Sequence, residues 1–501
     1  MGNSTPHLVK RTLDKDLDKI THVEEATHFV SRGLVGPGIG LVFLVMAMIY
    51  AGVYVMDQPG AVIVIAAAAI GAYMAMNIGA NDVTNNVGPA VGSKAMSMTV
   101  ALIIAAVFET AGAMIAGGDV VETISKGILD PQLMPSTDTF IWAMMAALLS
   151  SALWVNLATW LGAPVSTTHA VVGGVVGAGV AAAGFAAIDW ITMAGIAGSW
   201  VISPLLGGVV AALFLAFIKE YIIYRHDKLA AARKWVPVLI GFMVGTFCAY
   251  LALKGLNKLV DVTLLSATLI GLACGILSWA LSVPMVRRQS MGLENRNQSL
   301  RKLFRLPLIF SAALLSFAHG ANDVANAIGP LSAIVHAAQA HEITAEISIP
   351  LWVMVIGAFG ISLGLLLFGP RLIKLVGEQI TKLNPMRAFC VALSAAFTVI
   401  VASWLGLPVS STHIAVGAVF GVGFFREWYT RKSKRRIEYM RMKASTWDID
   451  EQEERNADEL RRRYLVRRSH FMTIIAAWVI TVPASALLAA GIYWVMFVLF
   501  V

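Results

Sequence analysis

Long apolar runs alternate with short polar segments along almost the whole chain. Most of the runs contain about twenty residues, which is the length that a helix needs to cross the hydrocarbon core of a bilayer. The runs at Pro164 and Pro408 are rich in glycine and begin abruptly, which favours short, broken or re-entrant helices. The thirteen runs begin near Gly36, Ala61, Met98, Thr139, Pro164, Trp190, Val236, Val262, Leu306, Leu351, Arg387, Pro408 and Phe471. The pattern predicts an all-α polytopic membrane protein with about 12–13 transmembrane helices.

Composition supports a chain whose main solvent is lipid. Apolar residues make up 58% of the sequence and charged residues 14%, whereas soluble domains carry about a quarter charged residues. The net charge of +8 is concentrated in short segments between apolar runs, as expected for cytoplasmic loops and not for a nucleic-acid site. With these loops inside, the N-terminus is expected to be cytoplasmic and the C-terminus outside. The expected location is a bacterial inner (plasma) membrane.

Two long motifs each occur twice, in the same order. Residues 79–89 read GANDVTNNVGP and residues 320–330 read GANDVANAIGP, an offset of 241 residues. Residues 160–169 read WLGAPVSTTH and residues 404–413 read WLGLPVSSTH, an offset of 244 residues. The first motif follows the second apolar run and its copy follows the ninth, and this odd difference predicts halves of opposite orientation. Inverted repeats are common in secondary transporters, which hold their substrate between the halves.

The repeat divides the chain into five parts. The predicted order is a polar cytoplasmic tail (1–35), an extra transmembrane helix (36–57), a first repeat (58–218), connecting helices with basic loops (219–304), and a second repeat (305–501). The second repeat contains a charged cytoplasmic insertion, 426–468, in which acidic and basic residues are mixed.

The first motif places carboxylates and amides inside apolar stretches. A carboxylate at the centre of a bilayer costs at least about 2.5–3.5 kcal/mol, and a bound cation would offset that charge. Hard cations prefer oxygen ligands, which carboxylates, amide oxygens and the free carbonyls of a glycine-broken helix would supply. The alternative is that these side chains cap helices at a kink. The residues predicted to bind the cation are Asn81, Asp82, Asn85, Asn322, Asp323 and Asn326.

The second motif places hydroxyl groups where a helix is expected to begin. Proline suits the first turn of a helix, so Pro164 and Pro408 are expected there, with hydroxyls and free backbone N–H groups close by. Such a helix start binds anions through its amides and its dipole, and one from each half could face a single tetrahedral oxyanion. Ordinary Ser/Thr capping is the alternative. The predicted anion-binding residues are Ser166, Thr167, Thr168, Ser410, Ser411 and Thr412.

Three further polar residues lie inside apolar runs. Glu109 has no acidic counterpart in the second half, where the matching position lies near Ile361. An unmatched acid within the membrane is a functional candidate. Glu109 could bind a cation, carry a proton or complement an asymmetric feature of the substrate. His169 and His413, which close the second motif, are expected to be structural, and proton transfer is the alternative.

The repeated GANDVxNxxGP and PVS[ST]TH motifs resemble those of the inorganic phosphate transporter (PiT) family of cation–phosphate symporters. The resemblance implies an inverted-repeat helical transporter, often a homodimer, that moves inorganic phosphate with Na⁺ or H⁺ and needs no other cofactor. It implies cation binding by the Asn/Asp motifs and phosphate binding by the Ser/Thr helix starts. The chain departs from the family in its N-terminal tail and extra helix, and in Thr84 and Asn86, where its own second copy has Ala325 and Ala327.

The sequence therefore predicts a secondary active transporter, not an enzyme. Its expected activity is import of inorganic phosphate by symport with a cation through alternating access. Sodium is the favoured ion, bound by the Asn/Asp motifs together with Glu109, and a proton is the alternative. A sulfate or other oxyanion permease of the same fold, an anion channel and a membrane enzyme remain as alternatives, although only the Ser/Thr–His motifs approach a nucleophile–base set.

Overall fold

The computed structural model describes residues 34–130, 133–340, 349–377, 383–433 and 468–500. Within this part of the chain the structure is helical, and its β pairing is a single antiparallel bridge between Leu129 and Ile188. The helices are α1 (Leu34–Val55), α2 (Ala61–Gly92), α3 (Met98–Ala116), α4 (Gly118–Lys126), α5 (Thr137–Trp160), α6 (Thr167–Ala183), α7 (Trp190–Ile218), α8 (Lys228–Lys254), α9 (Leu264–Gln289), α10 (Asn297–Leu303), α11 (Arg305–Asp323), α12 (Ala325–Ala340), α13 (Leu351–Gly377), α14 (Pro385–Trp404), α15 (Ser411–Lys432) and α16 (Arg468–Phe500).

Eleven helical segments of the described chain are long and apolar enough to cross a membrane. They correspond to the thirteen predicted runs without the two that begin at Pro164 and Pro408. Those two runs form α6 and α15, of which α6 has only 17 residues. The predicted all-α membrane architecture is therefore confirmed. The two runs that were expected to be short or broken are those outside the set of spans.

Polar residues fix where many of these helices begin. The side chains of Ser97, Ser136 and Thr263 each accept a hydrogen bond from a backbone amide in the first turn of α3, α5 and α9. Asp189 accepts from the amides of Ile191 and Thr192 at the start of α7. These caps satisfy amides that have no partner inside the helix.

Two details of the motifs differ from the sequence prediction. Pro164 and Pro408 do not lie in a first turn. They belong to extended links, and the helices begin after the capping residues Ser166 and Ser410. The first GAND motif does not break its helix either, because α2 continues through it without interruption. Only the second copy has a short break, between α11 and α12 at Val324. Free carbonyls in a broken helix are therefore not a feature of the first copy.

The two halves interlock by exchanging neighbours. By sequence correspondence, α2 matches α11–α12, α3 matches α13, α6 matches α15 and α7 matches α16. In the structure α2 packs on α13 while α3 packs on α11, and α6 packs on α16 while α7 packs on α15. Each helix thus contacts the counterpart of its own neighbour. The motifs lie inside this shared core.

Close packing at the crossings depends on glycine. A β-carbon added at Gly79 would collide with the carbonyl oxygen of Ile361, and one added at Gly320 would collide with the carbonyl oxygen of Glu109. These contacts relate the same positions of the two repeats and confirm that Glu109 and Ile361 correspond.

Some predictions concern residues beyond the description. Residues 1–33 of the predicted tail and residues 434–467 of the predicted insertion lie outside the described residues. The run predicted to be an extra transmembrane helix forms α1, which is long and apolar enough to cross a membrane. The opposite orientation of the repeats, the sides of the two termini and the domain boundaries stay predictions.

Candidate functional site

The predicted site residues of the two motifs converge on one buried centre. Asp82 on α2 and Asp323 at the end of α11 are 0% and 1% exposed. A histidine of α11 lies between them: His319 Nε2 is 2.9 Å from Asp323 Oδ2 and 3.6 Å from Asp82 Oδ2. Two carboxylates from different halves are therefore neighbours in the core of the molecule.

Each carboxylate accepts a hydrogen bond from a helix start of its own half. Thr167 Oγ1 donates to Asp82 Oδ2 over 2.9 Å, and Ser411 Oγ donates to Asp323 Oδ2 over 2.9 Å. The first residues of α6 and α15 thus face the carboxylates in equivalent ways. The residues predicted to bind a cation are therefore in direct contact with those predicted to bind an anion.

Hydrogen bonds also cross from one half to the other. Thr412 Oγ1 donates to Asp82 Oδ1 over 2.9 Å, and Asn85 Nδ2 donates to Thr412 Oγ1 over 2.8 Å. In the reverse sense, Asn326 Nδ2 donates to Thr168 Oγ1 over 3.2 Å. The second motif of each half therefore touches the first motif of the other half. Neither half alone contains this arrangement.

The first asparagine of each motif has a different task. Asn81 Nδ2 donates to Thr159 Oγ1 over 2.9 Å and to the Ala163 carbonyl oxygen over 3.3 Å, while its oxygen accepts from the Val165 amide. The side-chain amide of the counterpart Asn322 lies 3.0 Å from Ser403 Oγ and 3.1 Å from the Val409 carbonyl oxygen. These contacts hold the extended links that precede α6 and α15, a positioning role that the sequence did not predict.

The helix starts have the form of an anion site. Ser166 Oγ caps α6 by accepting from the His169 amide, and Ser410 Oγ caps α15 by accepting from the His413 amide. The backbone amides of Thr167 and Thr168, and those of Ser411 and Thr412, have no acceptor among the described residues. Two helix N-termini with free amides and buried hydroxyls therefore converge beside the carboxylates, and both the amides and the helix dipoles favour a negatively charged ligand.

The centre is not symmetric, because it contains a polar trio in which Glu109 and Asn86 come from the first half and His319 from the second. His319 Nδ1 lies 3.3 Å from Glu109 Oε2, and Asn86 Nδ2 donates to Glu109 Oε1 over 2.7 Å. The repeat-related position of each residue holds an apolar, buried side chain: Ile78 for His319, Ile361 for Glu109 and Ala327 for Asn86. Sequence reasoning found Glu109 but missed His319. The signal was available, since His319 stands directly before a motif whose first copy has isoleucine there.

Two other histidines lie at the seam between the halves. The ring centroids of His169 and His413 are 4.3 Å apart, and each ring also packs on a tryptophan, Trp200 at 3.8 Å and Trp478 at 3.7 Å. These four rings come from α6, α7, α15 and α16. The contacts place the two histidines in a cluster of four aromatic rings, which agrees with the expected structural role.

The donor atoms decide which ions this centre could hold. One ligand atom each from Asp82, His319 and Asp323 lie within 4.8 Å of one another, close enough for one ion. The carboxylate and hydroxyl oxygens around them suit a hard cation such as Na⁺, whereas the imidazole nitrogen of His319 does not. The aspartate oxygens therefore have the chemistry that sodium prefers, with His319 as a neighbour.

Comparisons with known proteins identify related transporters. The sequence model of the phosphate transporter family matches residues 78–489. A Helicobacter pylori protein named as a phosphate permease is 44% identical over 95% of this chain and 98% of its own. The chloroplastic inorganic phosphate transporter 2-1 of Arabidopsis thaliana is 34% identical over 85% of this chain and 70% of its own.

A solved structure also resembles the chain along most of its length. That structure, described as the sodium-dependent phosphate transporter, is 32% identical and superposes with a TM-score of 0.76 over 88% of this chain and 100% of the other. The same family is indicated by a family model that covers most of the chain, by a similar relative of nearly the same extent and by a similar solved structure. This chain is a member of the phosphate transporter family.

Proposed function

We propose that this protein imports inorganic phosphate by symport with a cation, with sodium favoured over the proton. Phosphate is assigned to the two helix starts, at Ser166, Thr167 and Thr168 and at Ser410, Ser411 and Thr412. The cation is assigned to the oxygens around Asp82 and Asp323, with Asn85 and Asn326 beside them. Asn81 and Asn322 position the helix starts. Glu109 influences the cation site indirectly, because it contacts His319, which in turn contacts Asp323.

The observation that carries the proposal is the sharing of hydroxyl groups. Thr167, Ser411 and Thr412 donate their hydroxyl hydrogens to the carboxylates of Asp82 and Asp323. A cation that coordinates those carboxylate oxygens competes with these hydrogen bonds and releases the hydroxyls toward an oxyanion. The same cation removes negative charge that would repel phosphate. Cation binding therefore raises the affinity for phosphate, which is the coupling that symport requires.

The location of the centre supports alternating access. It lies between interlocked halves, as substrate sites of repeat-built transporters do, and its cross-half hydrogen bonds join α2 to α15 and α12 to α6. Motion of one group of helices against the other would break or remake these bonds and open the centre to one side. The sodium dependence named for the similar solved structure favours sodium as the ion.

The decisive experiment is uptake of labelled phosphate into proteoliposomes that contain the purified protein. The compared conditions are an inward sodium gradient, an inward proton gradient and no gradient, each with and without excess sulfate. Sodium-driven uptake that sulfate does not reduce is the expected result. Uptake driven by a proton gradient alone would assign the proton, and not sodium, as the coupled cation. Transport of sulfate instead of phosphate would assign sulfate as the substrate. Ohmic current without saturation indicates a channel and contradicts the proposal.

The roles of the carboxylates are tested by removing their charge. Asp82→Asn and Asp323→Asn are each expected to abolish the dependence of phosphate uptake on the cation gradient. Asp227→Asn, at the helix cap of α8, is the matched control and is expected to retain coupled uptake. If both variants of the centre keep cation-dependent uptake, the assignment of the cation to these carboxylates is wrong.

A further inference from the structure

Helices α8 and α9 form an antiparallel hairpin at the side of the molecule. Its two helices approach closely through two pairs of glycines: a β-carbon at Gly241 would lie 2.9 Å from the Gly275 carbonyl oxygen, and one at Gly271 would lie 2.7 Å from that of Gly245. Such small residues allow close helix contact in membranes. Helix α9 packs chiefly on α8, and most of its surface faces outward.

A slot runs along the outer side of this hairpin. Its volume is about 610 Å³, and its walls are mainly apolar, including Val238, Phe242, Ile276 and Trp279. Phe242 and Trp279 are 46% and 44% exposed, so the slot opens toward the surroundings of the helices. Its polar groups are satisfied within their own helices, because Thr246 and Thr268 donate to the carbonyls of Phe242 and Leu264. The slot therefore suits a hydrocarbon chain.

Basic residues continue the same helix faces beyond one end of the slot. On α8 the lining residues recur at helical spacing from Val238 to Ala249, and Lys234 is one turn before Val238 on that face. On α9 the lining residues run from Thr268 to Trp279, and Arg287 is two turns beyond Trp279 on that face. By the helix rise, these cations lie roughly 6 Å and 12 Å past the slot. Lys234 and Arg287 are both exposed.

These cations are not neutralised by neighbouring acids. Within the described ranges, Lys234 and Arg287 form no ion pair with an acidic side chain, and the contact shown for Lys234 is with the ring of Trp235. The adjacent Arg233 is held differently, since its Nε donates to Ser290 Oγ over 2.6 Å and ties the end of α9 to α8. The basic end of the hairpin, where this hydrogen bond joins the two helices, thus lies next to the apolar slot.

We propose that this hairpin binds an anionic phospholipid. One acyl chain lies in the slot between α8 and α9, and the headgroup phosphate lies between Lys234 and Arg287. Basic pockets between membrane helices bind anionic lipid headgroups in this way. The uncompensated positive charges favour this occupant over a second copy of the chain. A second copy would bring its own Lys234 and Arg287 to the contact, and the cations of the two copies would repel one another.

The acyl chain is tested through Trp279. Purified full-length protein is titrated with phosphatidylglycerol whose acyl chains carry bromine, which quenches nearby tryptophan, and phosphatidylcholine with the same chains is the comparison. Saturable quenching at low mole fractions of the anionic lipid is expected. Replacing Trp279→Phe is expected to remove that saturable component and leave the quenching of the other tryptophans. Quenching that is the same for both lipids, or unchanged in Trp279→Phe, overturns the proposal.

The headgroup is tested by removing the cations. Lys234→Gln and Arg287→Gln are each expected to weaken phosphatidylglycerol binding roughly five-fold, with little effect on phosphatidylcholine. Lys258→Gln, an exposed cation at the opposite end of the hairpin, is the control and is expected to bind as the unchanged protein does. Equal melting temperatures in lipid-free detergent show that the variants are folded. If all three variants bind alike, or if a second copy covers the slot and excludes lipid, the proposal is wrong.

Discussion

The side chain of Thr412 forms hydrogen bonds that directly join the two halves. Its hydroxyl donates to Asp82 and accepts from Asn85, both of which belong to the other half. A threonine that only capped its own helix would have no such partners. The residue thus belongs to the proposed anion site and also contacts a carboxylate of the proposed cation site.

Removing this hydroxyl is expected to weaken phosphate binding. Thr412→Val keeps the shape of the side chain but leaves the Asn85 amide and an Asp82 oxygen short of a partner. Hydrogen bonds to charged groups contribute about 1.5–3 kcal/mol, so the KM for phosphate should rise about ten-fold or more. The measurement is phosphate uptake at varied concentration. Thr398→Val, a buried threonine that donates to its own helix, is the control, and a matching change in both variants would contradict the assignment.

His319 and Glu109 are expected to depend on each other. His319→Ile leaves the buried Glu109 carboxyl with Asn86 alone, and Glu109→Ile leaves a buried imidazole nitrogen without its neighbour. The double variant recreates the repeat-related apolar pair, Ile78 and Ile361. It should therefore lose less stability than the two single variants do in sum. A coupling of about 0.5–3 kcal/mol is expected, measured by thermal unfolding in detergent. Simple additivity would show that the two side chains do not support each other.

At this scale the sequence predicted the residues that recur, together with the unmatched Glu109, and missed His319, Thr159 and Ser403. The duplicated motifs identified the two aspartates and the hydroxyls, all of which lie together in the structure. His319 has no counterpart to mark it, because Ile78 stands at the equivalent position. Thr159 and Ser403 also escaped notice, since a hydroxyl on a helix usually bonds its own backbone. Only their distance from Asn81 and Asn322 reveals their role.

Among the helices, the crossing contacts at the motif glycines set how near the two halves can approach. At Gly79 the backbone of α13 occupies the place that a side chain would take, and at Gly320 the backbone of α3 does so. A backbone cannot rotate away as a side chain can. The glycines of the motif are thus required for packing, in addition to any local role in the site.

Alanine at either glycine is therefore expected to be destabilising. Gly79→Ala and Gly320→Ala force the crossing helices apart and should cost at least the 1–3 kcal/mol that is typical of overpacked cores. Thermal unfolding of the purified variants measures the loss. Gly195→Ala and Gly198→Ala are matched controls, because both glycines lie inside α7 with no atom within 4 Å of an added β-carbon. Alanine should stabilise the helix there by about 0.5–1 kcal/mol, and equal losses at all four positions would contradict this account.

The existence of the helices was easier to predict than their interruptions. Twenty-residue apolar runs specify spans through lipid alone, and this part of the prediction was confirmed. The glycines of both GAND motifs lie at helix crossings, Gly79 against α13 and Gly320 against α3. Nevertheless α2 continues through the first motif, whereas the second copy is interrupted at Val324. Likewise Ser166 and Ser410 begin their helices in place of the prolines, because their side chains cap the first turn.

Across the whole molecule, exchange of neighbours between the repeats explains why the site is formed only by both halves. The contacts of α2 with α13 and of α3 with α11 bring Asp82 and Asp323 together, although 241 positions separate them in the chain. The duplication predicted two related halves, but no sequence pattern shows which helix of one half packs on which helix of the other. That arrangement follows from tertiary packing.

The predicted opposite orientation of the repeats can be tested at equivalent surface positions. Asp57 precedes α2 and Gln298 precedes α11 at the same offset of 241 residues, and both are exposed. If the repeats are inverted, these positions lie on opposite sides of the membrane. Cysteines are introduced singly as Asp57→Cys and Gln298→Cys in a chain whose own cysteines, Cys248, Cys274 and Cys390, are replaced by alanine.

A membrane-impermeant maleimide then reports the side of each cysteine. In intact cells one of the two variants should be labelled, and in inside-out vesicles the other, because the charged reagent does not cross the bilayer. The parent without cysteines controls for background, and phosphate uptake shows that each variant is active. Labelling of both from the same side would mean that the repeats run parallel. The site would then lie between halves related by an axis along the membrane normal, as in transporters built from parallel repeats.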